Sequence, residues 1–170
     1  MSKTVYILLQ SLEGRFKMMY DIMGYGIYNH ASLGLGDDLS EFYSFRTKWG
    51  FCVEHPFEFT KTHKQMIQCR LYEVKVTAEV FRMMQEWIER LKRNSQDYYY
   101  SYLSLVLGFM GIRHTLSHGY FCSRFVAEML QQTKALQLSK DGSIYMPHDF
   151  EKESLQLCFE GRAKDIHCIH

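Results

Sequence analysis

The sequence predicts an α+β fold in which an antiparallel sheet packs against a helix. Three observations predict it. Strand-like segments come first, helix-like segments follow, and one strand-like segment closes the chain; that order argues against a doubly wound parallel sheet. The 170 residues suffice to bury a proper core and are read as a single domain, 1–170. And in "HGYFCSRFVAEML", residues 118–130, an aromatic strand-like stretch gives way at Cys122 to an amphipathic helical pattern.

The elements follow in order. "TVYILLQ", 4–10, is a buried strand, β-branched and aromatic at its front. Residues 14–26 form a short helix or loop leading to Gly24 and Gly26. "YNHASLGLGDDLSEFYSF" is a hairpin with arms 28–35 and 40–46 and "GDD" as its turn. Residues 47–66, punctuated by Pro56, loop. "QCRLYEVKV", 68–76, alternates as a strand. Thr77 caps a helix whose apolar residues Val80, Phe81, Met84, Trp87, Ile88 and Leu91 share one face. Residues 97–111 are apolar nearly all round and predict a buried helix. A third helix starts at or just after Cys122, with Phe125, Val126, Met129 and Leu130 on one side and Arg124, Glu128 and Gln131 on the other. "SLQLCF", 154–159, is a last short strand.

Composition narrows the function classes. Net charge is +1, which gives no push toward nucleic acid. No apolar run approaches the roughly 20 residues of a membrane span, and the opening residues read as a strand, not a signal peptide. The five cysteines are widely and irregularly spaced with no C-x-x-C pair, which argues against a zinc ribbon or a thioredoxin-like motif; no metal or organic cofactor is expected. Free thiols fit a reducing cytoplasm.

Cys122 stands where a helix start lowers a thiol's pKa through unpaired N–H groups and the macrodipole. A nucleophilic thiol also needs a base, usually a histidine brought close by the fold. Among eight histidines, His30 lies inside a predicted strand beside the small residues Ala31 and Ser32, with room for a partner above it. His114 and His118 fall in the loop before Cys122. His55, His63, His148, His167 and His170 read as surface histidines, with His167, Cys168 and His170 in a frayed tail.

These residues carry a family resemblance. "YNHASLGL" followed by "GDDLSEFYSF", and much later "YFCSRFVAEML", resembles the circularly permuted papain-like amidases related to the NlpC cell-wall hydrolases. There the strand histidine precedes the helix-start cysteine. The resemblance implies a sheet curled into a small barrel, a Cys122 nucleophile and a His30 base. It implies a thiol-dependent hydrolase or acyltransferase acting on an amide or ester of a peptide, a peptidoglycan fragment or an N-acyl or lipid amide.

A third residue should hold the imidazole, and the resemblance places it on the strand beside the histidine strand. A three-residue turn at Gly36–Asp38 would pair His30 with Ser44; a two-residue turn would pair it with Phe45. Ser44 departs from the histidine or acid usual there. Glu41, about three residues away, and Glu54, in the predicted loop, are the alternatives. Among the tyrosines, Tyr25, Tyr28 and Tyr98–Tyr100 serve packing, or one phenol serves the oxyanion beside the backbone N–H of Cys122. The rival reading is a non-catalytic binding module that keeps the papain-like fold.

Overall fold

A computed structural model describes residues 2–36, 38–58 and 62–166. Six strands form one antiparallel sheet: β1 (Ser2–Gln10), β2 (His30–Leu35), β3 (Phe42–Arg46), β4 (Gly50–Glu54), β5 (Gln68–Thr77) and β8 (Gln156–Arg162), in the order β4-β3-β2-β1-β5-β8. β1 is central because it is apolar on both faces. Val5, Ile7 and Leu9 enter the main core, while Tyr6 and Leu8 pack with Phe42, Cys69 and Leu71 on the other face.

Two helices cover the main-core face. α3 (Ala78–Arg93) buries Met84, Ile88 and Leu91, and the Thr77 side chain caps it by accepting the Val80 N–H at 3.2 Å. α5 (Cys122–Gln132) lays Phe125, Val126, Met129 and Leu130 against β2 and β3. Burying each such side chain stabilises the fold by about 1.5–3 kcal/mol. Arg124, expected on the polar side of α5, is only 2% exposed; it donates to the Gly119 and Leu116 carbonyls and to Ser104 Oγ, tying the preceding loop to the helix.

Several expectations are corrected. The described sheet does not close into a barrel. β5 pairs on its outer side with β8, not with β4, and covering by helices buries one face without closure. Residues 47–66 are not all loop, because they hold β4 and the short α2 (Thr62–Gln65). The turn into β4 is tight: Trp49 N–H donates to Arg46 O at 3.2 Å, and Gly50 takes a left-handed φ of 66°. Residues 97–111 are not one buried helix. Tyr99–Tyr100 (β6) pairs in parallel with Gly119–Tyr120 (β7), and the Ser101 side chain caps α4 (Tyr102–Phe109) by accepting Ser104 N–H. Only one face of α4 is covered. The helix predicted within 14–26 is α1 (Arg15–Met23). Asp37 of the "GDD" turn and the tail residues His167, Cys168 and His170 lie outside the described residues.

The β2–β3 register also differs from the expected one. Leu33 faces Tyr43 and Gly34 faces Phe42, a shift of two residues from the three-residue-turn register. The cause lies in the connection: Leu39 takes a positive φ of 52° and Ser40 folds back onto the Asp38 carboxylate, so β3 starts only at Phe42. A shift of two preserves the faces. No described helix is long and apolar enough to cross a membrane.

Gly50 fixes where β4 lies. A Cβ there would stand 2.6 Å from the Tyr98 carbonyl oxygen, in addition to the left-handed backbone. Gly50→Ala should therefore cost about 2 kcal/mol or more, read as a lowered urea midpoint at unchanged slope.

Candidate active site

Strand alternation and register put five polar side chains on one face of the sheet. Gln10 pairs with His30, Ser44 pairs with Cys52, and Glu54 ends β4 two residues beyond Cys52. Gln10, His30, Ser44 and Glu54 are buried. Cys122 reaches this group from the start of α5, whose N-cap, Phe121, offers no side-chain cap. The backbone N–H groups of Ser123 and Ala31 favour the thiolate form of Cys122.

Cys122 and His30 are direct neighbours, and each shifts the other's ionisation. On the far side of the ring, His30 Nε2 lies 2.9 Å from Glu54 Oε1 and 3.2 Å from Oε2. Nε2 thus donates to the carboxylate, and Nδ1 is the nitrogen left for the thiol. Ser44 Oγ donates to Ala31 O at 3.2 Å and lies 3.2 Å from the same Nε2. Arg46 Nε donates to Glu54 Oε1 from the opposite side, so one buried carboxylate answers both an imidazole and a guanidinium.

The electrostatics follow from this chain. Burial disfavours charge on Glu54, yet His30 and Arg46 outweigh it and lower its pKa to about 2. Burial likewise disfavours a charged His30, but the Glu54 carboxylate and neighbouring Cys122 raise its pKa to about 9. Burial raises the Cys122 pKa; neighbouring His30, its charge and the two backbone N–H groups outweigh burial and lower it. Cys52, in contrast, is pushed up to about 12 by burial and by Glu54. The arrangement favours a thiolate–imidazolium pair at Cys122 and a protonated thiol at Cys52.

Of the predicted candidates, His30, Cys122, Ser44 and Glu54 come together. Glu54 is on a strand, not in a loop, and it takes the orienting position more fully than Ser44. Glu41 is elsewhere, accepting from Tyr43 Oη and lying near Lys92. His148 is not a surface histidine: it is buried and stacked on Tyr25 at 4.3 Å. His114 contacts Arg124 and His118 packs on Tyr98, so both shape the loop before Cys122.

Sequence reasoning missed Arg46, Cys52, Gln10 and Tyr20. The alternation of Ser44 with Arg46, and of Cys52 with Glu54, was a signal once β4 is read as a strand. Tyr20, on α1, has no such signal. All four line, with Cys122 and His30, a half-open cavity of about 700 Å³. Gln10 Oε1 and Tyr20 Oη are buried in it without a hydrogen-bond partner among the described residues. Burial first, then the charges of Cys122 and Asp149, hold the Tyr20 phenol protonated and able to donate. No group of described histidine, cysteine and acidic residues has the arrangement of a metal site. No protein-family model matches the sequence, and no curated protein matches it either.

The lowered Cys122 and raised His30 pKa values fix a pH window. Alkylation of Cys122 by iodoacetamide should persist below pH 7, stay level while the imidazolium remains, and change again as His30 loses its proton near pH 9. In His30→Ala the rate should instead climb with pH like that of an ordinary thiol, with a pKa of about 8.5 or above. Peptide mapping separates Cys122 from the other thiols.

Proposed function

We propose that the chain is a thiol-dependent hydrolase or acyltransferase acting on an amide or ester, with Cys122 as nucleophile, His30 as acid and base, and Glu54 as the group that orients His30. The observation that carries this reading is the juxtaposition of Cys122 with a His30 that is hydrogen-bonded to buried Glu54, on the wall of a cavity. A fixed imidazole and a helix-start thiol are what acyl transfer needs.

The Cys122 thiolate attacks the carbonyl carbon, and the carbonyl oxygen becomes an oxyanion. The backbone N–H of Cys122 and the unpartnered Tyr20 phenol supply donors for it. His30, charged while paired with Glu54, gives its proton to the leaving nitrogen or oxygen as the carbon–heteroatom bond breaks. The acyl group is then a thioester on Cys122. Neutral His30 takes a proton from water or another acceptor, which attacks the thioester and returns the thiolate. Glu54 keeps the imidazole in the tautomer with Nε2–H toward the carboxylate throughout. Ser44 adds a lone pair beside Nε2.

The order of these residues, strand histidine early and helix-start cysteine late, supports the circularly permuted papain-like reading, as does an antiparallel sheet packed on the cysteine helix. The substrates that reading implies are a peptide, a peptidoglycan fragment or an N-acyl or lipid amide. The free state of Cys52, Cys69, Cys122 and Cys158 fits a reducing compartment such as the cytoplasm. A non-catalytic binding module has no need of a buried carboxylate held against the imidazole, so Glu54 favours the catalytic reading over that rival.

The test is a substitution series on a fluorogenic amide and a thioester. Cys122→Ser should abolish turnover at nearly unchanged melting temperature, since one atom changes and the hydroxyl is a far weaker nucleophile. Glu54→Gln should lower kcat by roughly 10²-fold or more. Ser44→Ala removes one neutral hydrogen bond and should cost about fivefold. Turnover that survives in Cys122→Ser would overturn Cys122 as the nucleophile, and a wild type inert on every amide and thioester, with Cys122 no more reactive than the other thiols, would return the chain to the binding-module reading.

A further inference from the structure

One amide on the cavity wall has an oxygen that no described residue engages. Gln10 is 3% exposed, lines the cavity with Cys122 and His30, and keeps its buried Oε1 without a hydrogen-bond partner among the described residues. Asn29, the other amide on that wall, is committed: its Oδ1 accepts the Leu12 N–H at 2.9 Å and its Nδ2 donates to Leu12 O at 2.7 Å. The backbone around Gln10 is pinned as well. The Gln10 carbonyl accepts the Asn29 N–H at 3.1 Å, and the next residue, Ser11, donates its N–H to Gln68 O at 2.9 Å. A buried carbonyl oxygen left unpaired in so fixed a place is costly to the fold, and on the wall of a reactive cavity it offers an acceptor to a ligand's donor.

The strand register says which donor. Gln10 faces His30 directly across β1 and β2, so both side chains leave the same face of the sheet at neighbouring positions. Residues paired in this way stand about 5 Å apart at Cβ. His30 is the group that delivers a proton to the leaving atom, so the leaving group lies on the side that Gln10 shares. The carbonyl oxygen has its own donors in the Cys122 N–H and the Tyr20 phenol. A trans amide points its N–H away from that oxygen and needs a separate acceptor.

We infer, on the acyl-transfer reading above, that Gln10 is a specificity-determining residue whose Oε1 accepts the N–H of the scissile amide and so selects an amide with a free N–H over the corresponding ester. As the Cys122 sulfur bonds to the carbonyl carbon, His30 passes its proton to the nitrogen. The carbon–nitrogen bond then breaks, and the amine leaves with its original hydrogen still on Gln10. Protonation of the nitrogen makes that N–H a stronger donor, so the contact tightens as the transition state forms. An ester puts a lone pair where the N–H would stand, and two acceptor oxygens then face each other with no hydrogen between them.

Two probes that differ only by N–H against O test this: N-acetylalanine 7-amido-4-methylcoumarin and N-acetylalanine 4-methylumbelliferyl ester. Both carry the same acyl-side N–H. Gln10→Met keeps the side-chain length and removes the acceptor. It should lower kcat/KM for the amide about tenfold more than for the ester. Its melting temperature should stay level or rise, since Oε1 gives up no hydrogen bond within the described chain. The N-methylated coumarin amide removes the donor from the substrate and needs no variant; the wild type should turn it over about tenfold or more slowly than its parent. Equal losses on amide and ester in Gln10→Met overturn the inference while acyl transfer by Cys122 stands, and an N-methylated amide turned over as fast as its parent does the same. A wild type inert on both probes, or turnover that survives in Cys122→Ser, instead overturns the acyl-transfer reading and the role of Gln10 with it.

Discussion

A carboxylate taken out of water must be paired, and the pairing of Glu54 organises this molecule's chemistry. Removing one partner from a buried, hydrogen-bonded charge pair leaves the other uncompensated, at a cost of about 3–5 kcal/mol. Glu54 has two charged partners among the described residues. Arg46 holds it from the same hairpin, across the β3–β4 turn, and His30 holds it from β2. The imidazole is therefore fixed at Nε2 and can be charged at neutral pH despite its burial, and only then can it hold a thiolate at Cys122. Each link depends on the one behind it, and the last is the turn at Trp49–Gly50 that brings β4 back beside β3.

The sheet makes this possible by alternation. Odd-numbered residues of β2 and β3 (Ala31, Leu33, Tyr43 and Phe45) face the main core beneath α5. Even-numbered ones, His30 and Ser44, face the other way and share their side with Cys52 and Glu54. The apolar face holds α5 in place, and its N-terminus delivers Cys122 to the polar group at the strand end. Packing and chemistry are thus carried by opposite faces of the same short strands. A one-residue slip in β4 would exchange Glu54 for Val53 and put a carboxylate into the apolar core.

How much of this was legible in the sequence depends on the range of each signal. The helix after Thr77, the start of α5 at Cys122 and the strand bearing His30 are written locally, in caps and periodicity. Pairing His30 with Cys122 across more than ninety residues came from chemistry and from the permuted papain-like resemblance. β4 was missed because "GFCVE" is five residues long and alternates against a glycine; its identity as a strand comes from pairing with β3. Glu54 ranks behind Ser44 in the sequence because 47–66 reads as loop, which hides the strand that carries Glu54 beside β3; the turn count from "GDD" errs separately, since β3 begins only at Phe42. α4 was read as buried because its composition is apolar all round, and composition alone does not reveal that nothing in the described chain covers its outer face.

The central claim is that buried His30 carries both ring protons at neutral pH because Glu54 and the Cys122 thiolate flank it. Nitrogen-15 NMR of the imidazole rings, assigned with His30→Ala, measures this most directly. The account predicts that both His30 nitrogens show imidazolium shifts at pH 7 and lose them only near pH 9, and that Glu54→Gln moves the transition toward lower pH. A His30 that is neutral at pH 7, titrating at or below the ordinary histidine value of about 6.5 in both proteins, would contradict it.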